Sequence, residues 1–172
     1  MARVLVAYAS KMGSTQEIAE AIGQELERCG KQVVVAPCAD DVNPDGFDGV
    51  IIGSAIYTRR WVKAARRFLK RHAHRLDPKS TWLLHSGPCG DGAREEQVET
   101  PKAIARVSIP LGLPAPVTFG GRLDTEHATG PLSRWMGEKG PLSGDFRDWE
   151  RIRGWASDIA HQLDQATAER QQ

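Results

Sequence analysis

Little in this chain points to chemistry carried by sulfur, metal or membrane. Its 172 residues include three cysteines, Cys29, Cys38 and Cys89, with no CxxC pair and no even set. A disulfide-stapled secreted fold and a structural zinc site are therefore not expected, and a reducing cytoplasm suits the composition. Aromatic residues make up only 6% of the chain. No apolar run approaches the roughly 18–20 residues that a spanning helix needs. The opening stretch Met1-Ala2-Arg3-Val4-Leu5-Val6-Ala7-Tyr8 is too short for a signal-peptide core and reads as a buried strand. Net charge is nearly absent, at +1. With 40% apolar and 26% charged residues the chain has the balance of an ordinary globular protein, which excludes global disorder and collagen-like structure. Its length suits one domain over 1–172. Two phosphate-binding signatures are also missing. There is no GxxxxGK[ST], and between the first strand and the first helix only Gly13 is available, so GxGxxG cannot be formed there.

What is present is an alternation of strand and helix signals. Apolar runs at 3–8, 33–36, 49–54, 82–86 and 116–120 predict five strands, the first and third of them covered on both faces. Ser14-Thr15-Gln16-Glu17 has capping-box spacing, with Ser14 at the N-cap and Glu17 at N3. Ile18, Ala19, Ile22 and Leu26 then recur at helical spacing, and Gly30 stands where a C′ residue belongs. Further helices are predicted over 60–75, from the pair Thr100-Pro101 to about 108, and from Asp145 to about Ala166. Residues 124–144 carry many glycines and prolines and few apolar residues, and read as an irregular excursion. This order implies an α/β fold, a parallel sheet with helices on both faces and right-handed crossovers. Ligands in such sheets bind at the carboxyl ends of the strands, at the topological switch point.

The loop after the first strand, Ser10-Lys11-Met12-Gly13-Ser14-Thr15, offers three hydroxyls, one cation, one glycine and the N-terminus of a helix. That combination suits a phosphate, because free N–H groups and the helix dipole both favour an anion. The stretch Val6–Ile22 resembles the flavodoxin FMN-phosphate signature. Tyr8, Ser10, Gly13, Thr15, Ala19 and Ile22 fill its aromatic, hydroxyl, small, threonine, alanine and aliphatic places, while Ala7 stands where a larger apolar residue is preferred. The resemblance implies FMN as cofactor and a five-stranded parallel sheet in the order 2-1-3-4-5. Flavodoxins, with FMN at the switch between the first and third strands, exemplify the strand-end rule.

A flavin ring needs flat walls and a few backbone groups aimed at its polar edge. After the third strand, Ser54-Ala55-Ile56-Tyr57 supplies Tyr57 as a stacking candidate, with Trp61 a weaker one that opens the next helix and covers the core. After the fourth strand, Ser86-Gly87-Pro88-Cys89-Gly90 has the glycines and proline of an unusual backbone path whose N–H groups can meet the flavin's N1–C2=O edge. Cys89 has no resolving partner and reads as a packing residue rather than a redox thiol. His85, His72 and His74 lie in regular structure and do not suggest a metal, and Asp124-Thr125-Glu126-His127 reads as a solvated loop. No catalytic acid or base stands out.

Beyond the phosphate loop, the stretches 50–57, 68–73 and 144–160 resemble the flavodoxin-like subgroup that includes bacterial menaquinone-dependent protoporphyrinogen dehydrogenases. That resemblance implies an FMN oxidoreductase passing electrons from a reduced planar substrate to a quinone. The subgroup's long apolar and basic insertion is shorter and more polar here, with Leu132, Trp135, Met136 and Leu142 as its large apolar residues. The alternative is an electron carrier that docks with a redox partner protein. Such carriers are strongly acidic, which steers them to basic partners. This chain is not acidic, and its near-zero charge hides a contrast. Residues 59–75 hold eight Lys/Arg and no acid, whereas 1–58 hold four bases against eight acids and 76–172 eleven against fourteen. The basic run reads either as a solvated helix face or as a surface for an acidic substrate, an acidic partner or an anionic membrane. A cytoplasmic location with peripheral membrane contact and no nucleic-acid partner is the corresponding expectation.

Overall fold

Val4, Leu5, Val6 and Ala7 are at most 1% exposed, so the strand they form is covered on both faces. The computed structural model of the protein describes residues 1–39, 41–87, 89, 93, 97–123 and 144–169. Its elements in chain order are β1 (Arg3–Ala9), α1 (Ser14–Arg28), β2 (Gln32–Pro37), β3 (Gly49–Tyr57), β4 (Arg60–Trp61), α2 (Lys63–His72), a 3₁₀ turn (Ala73–Arg75), β5 (Thr81–Ser86), α3 (Lys102–Ser108), β6 (Val117–Phe119), β7 (Arg122–Leu123), β8 (Gly144–Asp145) and α4 (Trp149–Glu169). Five strands pair in parallel in the order β2-β1-β3-β5-β6, with β4 folded back antiparallel on β3. Leaving β4 uncounted, this is the 2-1-3-4-5 order that the family resemblance implies.

Alternation along the strands divides the core between two faces, as the period-two pleat requires. Val4, Val6, Ile51 and Leu84 pack with Ile18, Ile22 and Leu26 of α1 and with Ile152, Ile159 and Leu163 of α4. Leu5, Ala7, Ile52 and Leu83 pack with Ala65, Phe68 and Leu69 of α2 and with Ile104 of α3. Helix α1 closes as expected: Gly30 donates to the Glu27 carbonyl and Lys31 to the Leu26 carbonyl, the two bonds of a Schellman motif.

Five boundaries differ from the sequence expectation. Gly13, in the left-handed region at φ 81°, is the N-cap of α1, and no side chain caps that helix. Ser14 is therefore its first helical residue; its hydroxyl accepts from the Arg122 N–H, and Glu17 turns to arginines rather than back to the cap. The third strand runs to Tyr57 instead of ending at Ser54, and the chain reverses through Thr58 and Arg59 at φ 46° and 58° into β4. The predicted helix over 60–75 consequently begins at Lys63, since Arg60 and Trp61 pair with Tyr57 and Ile56. The last helix begins at Trp149 and not at Asp145, because Gly144 and Asp145 pair with Leu123 and Arg122 as a second small sheet. At the third helix the shift is one residue: Pro101, not Thr100, is the N-cap. The excursion over 124–144 lies, apart from Gly144, outside the described residues.

Candidate functional site

The carboxyl ends of β1, β3 and β5 meet the N-terminus of α1 on one rim of the sheet. The first intrahelical bond of α1 runs from the Glu17 N–H to the Gly13 carbonyl at 3.0 Å, so the N–H groups of Ser14, Thr15 and Gln16 have no intrahelical acceptor. Gly13 makes this cradle conformational rather than steric. A Cβ added there would meet nothing within 4 Å, but its φ of +81° is one that other residues adopt only at a cost. Ser10 and Met12 are half-buried and Lys11 is exposed beside the cradle.

The hydroxyl of Thr15 is fully buried and lies 2.8 Å from the Ser86 hydroxyl, tying the first loop to the end of β5. Two hydroxyls sharing one hydrogen bond retain one proton to donate elsewhere. Lys11 reaches across to the β3 end, where its ammonium stands 5.1 Å from the centre of the Tyr57 ring. Thus the structure brings Lys11, Thr15, Tyr57 and Ser86 from three separate segments to one place. Burial pushes the Tyr57 phenol up from its usual value, with a smaller contribution from neighbouring Cys89. Burial also pushes the Cys89 thiol up to about 11, with Asp145 adding to it, so the thiolate is scarce near neutrality.

Ser54 and Ala55 sit inside the sheet and not on the rim. The Ser54 hydroxyl donates to the Ala55 carbonyl at 2.8 Å and accepts from the Val62 N–H at 2.9 Å, so it fixes the β3–β4 reversal. Ile56, half-buried, lies against Gly87: a Cβ on Gly87 would fall 2.7 Å from the Ile56 carbonyl oxygen. Only glycine lets the β5 exit pass this close to β3. Pro88 and Gly90 lie outside the described residues. Trp61 is 2% exposed and belongs to the core.

Two arrangements have no marker in the sequence. Behind the loop after β1, Glu17 pairs with Arg122 at 2.9 Å and with Arg147 at 2.6 Å, and Arg147 also forks to Asp145 at 2.6 Å. These pairs clamp the 120s and 140s segments to the start of α1, and they could not be read without knowing that β7 and β8 converge there. The second is His85, which is 0% exposed in β5. Trp61 Nε1 donates to His85 Nδ1 at 3.2 Å, and His85 Nε2 lies 2.8 Å from Thr118 Oγ1, which accepts from the Val98 N–H at 2.9 Å. Because Nδ1 must accept, Nε2 carries the proton. The neutral ring so held joins the β3–β4 hairpin to the segment that follows β5. Among the described residues no group of three or more His, Cys, Asp or Glu is placed to hold a metal.

The donor set of the rim fits a flavin phosphate: N–H groups at a helix start, serine hydroxyls and one lysine, with an aromatic ring alongside. The protoporphyrinogen IX dehydrogenase [quinone] of Escherichia coli strain K12 is 26% identical over 188 residues, covering 96% of this chain and 98% of that protein. An archaeal flavodoxin superposes with a TM-score of 0.60 at 18% identity, covering 94% of this chain and 99% of that one. Flavodoxin 2 of Bacillus cereus does so with a TM-score of 0.60 at 19% identity, covering 93% and 99%. Among the described residues no helix is long and apolar enough to cross a membrane. Residues 5–127 match the family model described as Flavodoxin domain, and the chain belongs to that family of flavin oxidoreductases.

Proposed function

We propose that the protein binds FMN on the rim formed by Ser10–Thr15, Tyr57 and Ser86–Gly87, and passes electrons from a reduced planar substrate of the porphyrinogen type to a quinone. The observation that carries this reading is the meeting of Lys11 with Tyr57 at 5.1 Å, directly beside the start of α1. The near-full-length likeness to a protoporphyrinogen IX dehydrogenase [quinone] supports the choice of substrate and acceptor.

When bound, FMN supplies the electron transfer itself. The chain's part is to bind, orient and enclose. The N–H groups of Ser14, Thr15 and Gln16, with the Ser10 and Ser14 hydroxyls, would take the phosphate, and Lys11 would add charge. Tyr57 would provide a flat wall. Gly87, held against Ile56, would let backbone N–H groups approach the ring edge, where they favour a reduced anionic form. No side chain in this arrangement is needed as an acid or base.

The test is a titration followed by turnover. Purified protein should bind FMN with a change in the flavin spectrum; an unchanged spectrum would overturn the proposal. Flavin-loaded protein, chemically reduced, should be reoxidised by menadione over many turnovers when a porphyrinogen is supplied. Reoxidation only by a partner protein would overturn the enzyme reading and leave an electron carrier.

A further inference from the structure

The basic run is not one helix face. Arg67 and Arg71 border a cavity of about 310 Å³ with Phe68, and Arg75 pairs with Asp45 at 2.7 Å. Arg59, Arg60 and Arg66 turn instead into a different cleft of about 940 Å³, where Lys102 and Arg106 of α3 meet them from the other side. Among the described residues, five cationic side chains therefore face one carboxylate, that of Glu99. Among the described residues none of the five forms an ion pair or a side-chain hydrogen bond. Like charges gathered from a hairpin and two helices, with Glu99 as the one counter-charge among the described lining residues, repel one another, and no contact on the described residues offsets that repulsion.

The cleft is concave and not merely charged. Its floor is apolar, with Ile56, Trp61 and Pro101, and its volume is in the range of roughly 300–1,000 Å³ usual for organic ligands. Arg59 is also held at φ 58°, a left-handed conformation that non-glycine residues adopt only at a cost. The reversal is anchored by the Trp61–His85 and Val62–Ser54 bonds, so the guanidinium is presented from a fixed support. Four of the five cations are arginines, whose planar forks match carboxylate and phosphate oxygens in pairs.

We propose that this cleft, between the β3–β4 hairpin and helices α2 and α3, is a second ligand site, for a small organic polyanion carrying at least two carboxylate or phosphate groups on an apolar body. It stands on these cations and not on the flavin assignment, although Ile56 and Gly87 border both places. A membrane surface is the less favoured occupant, because a flat sheet of headgroups cannot reach the Trp61 floor.

The experiment titrates the full chain, with FMN added, calorimetrically at physiological ionic strength. One arm uses mesoporphyrin IX, a dicarboxylate, and the other NADPH, a phosphate polyanion. At least one should bind, and the arm that does identifies the anion. The double variant Arg66→Gln/Arg106→Gln, both exposed side chains, should weaken that binding about tenfold or more, whereas Lys70→Gln, on α2 outside the cleft, should change it less than about twofold. FMN affinity, read in the same samples, should be equal in all three proteins. If FMN fails to bind the wild type, the flavin assignment falls and the polyanion titration still decides the cleft. Absence of binding by both probes overturns the proposal. So does equal weakening by the double and the control variants, or binding to phosphatidylserine vesicles that both variants weaken alike.

Discussion

The ammonium of Lys11 lies 5.1 Å from the centre of the Tyr57 ring, joining the loop after β1 to the end of β3. Lys11 is itself exposed, and a cation over a ring at such a site contributes about 0.5–1 kcal/mol, too little to hold two loops by itself. The pair is better understood as two walls of one binding place. Tyr57→Leu should therefore weaken FMN binding about tenfold, or about 1.4 kcal/mol, through loss of stacking area. Lys11→Gln should weaken it a few-fold and flatten its salt dependence, since a screened charge has been removed. Quenching of flavin fluorescence at several salt concentrations reads both. Unchanged affinity in Tyr57→Leu would show that the ring lies elsewhere.

Two glycines in the site serve different needs, and substitution separates them. At Gly13 the obstacle is the backbone angle alone, so Gly13→Ala should cost about 1–2 kcal/mol and Gly13→Asn markedly less, since asparagine tolerates the left-handed region. At Gly87 the Ile56 carbonyl oxygen stands 2.7 Å from any Cβ, and the φ of +157° lies outside the left-handed region that asparagine tolerates, so both obstacles meet any side chain. Gly87→Ala should cost about 1–3 kcal/mol, and Gly87→Asn at least as much. Urea unfolding of the four variants gives the order; relief at residue 87 by asparagine would contradict the steric account.

The sheet was legible because its central strands are apolar on both faces, and residues such as Val6 and Ile51 admit no other reading; the edge strand β2, where Val34 is 45% exposed, is marked only by its β-branched run. The candidate phosphate loop could be proposed from sequence because a local stretch, Ser10–Thr15, holds all its parts. The boundaries that shifted depend on partners far along the chain. Ser14 has the residue type of a cap, but the Arg122 N–H occupies its hydroxyl. Arg60 and Trp61 fit a helical pattern, but Trp61 is drawn into the core by His85. Neither competitor leaves a mark within a window of ten residues. The Glu17–Arg122–Arg147 cluster was out of reach for the same reason.

Cys89 should behave as a buried thiol in spite of its place beside the candidate ring site. With its pKa pushed up to about 11, the thiolate fraction at pH 8 is on the order of one part in a thousand, against about a quarter for a free cysteine. Iodoacetamide at pH 8 should modify Cys89 far more slowly than it modifies glutathione, as followed by peptide mass spectrometry. Cys89→Ser should leave quinone reduction within about twofold of the wild type. Rapid alkylation, or loss of turnover in the serine variant, would restore the thiol as a participant.

Arg147, with 3% of its side chain exposed, divides its guanidinium between Glu17 and Asp145 and lies 4.4 Å from the centre of the Trp149 ring. The arginine holds the Asp145 carboxyl below the usual carboxylate value. Lysine offers a point charge in place of a fork and loses the paired Nε and Nη2 bonds to Asp145, so Arg147→Lys should destabilise by about 2–3 kcal/mol. Glu17→Gln should cost less, about 1 kcal/mol, because Glu17 is 39% exposed and partly solvated in either state. A double-mutant cycle on urea midpoints measures the coupling. Additive losses would mean that the clamp is no clamp.

His85 gives the fold a pH dependence whose sign follows from its hydrogen bonds. Trp61 occupies Nδ1 as a donor, so protonating that nitrogen sets two N–H groups against each other. Burial pushes the pKa down to about 4, from the 6.5 of a free histidine. Between those values the unfolded chain binds a proton that the folded chain refuses. Stability contributed by neutral His85 is therefore complete above about pH 6.5 and is lost as pH falls, by about 3 kcal/mol on reaching pH 4. His85→Asn removes the titration while leaving every carboxylate in place. The advantage of the wild type over this variant should shrink by about that amount between pH 7 and pH 4, measured by urea unfolding at each pH. Curves that stay parallel would mean that His85 takes up its proton in the folded state at an ordinary pH. The Trp61 bond would then not hold the hairpin as described.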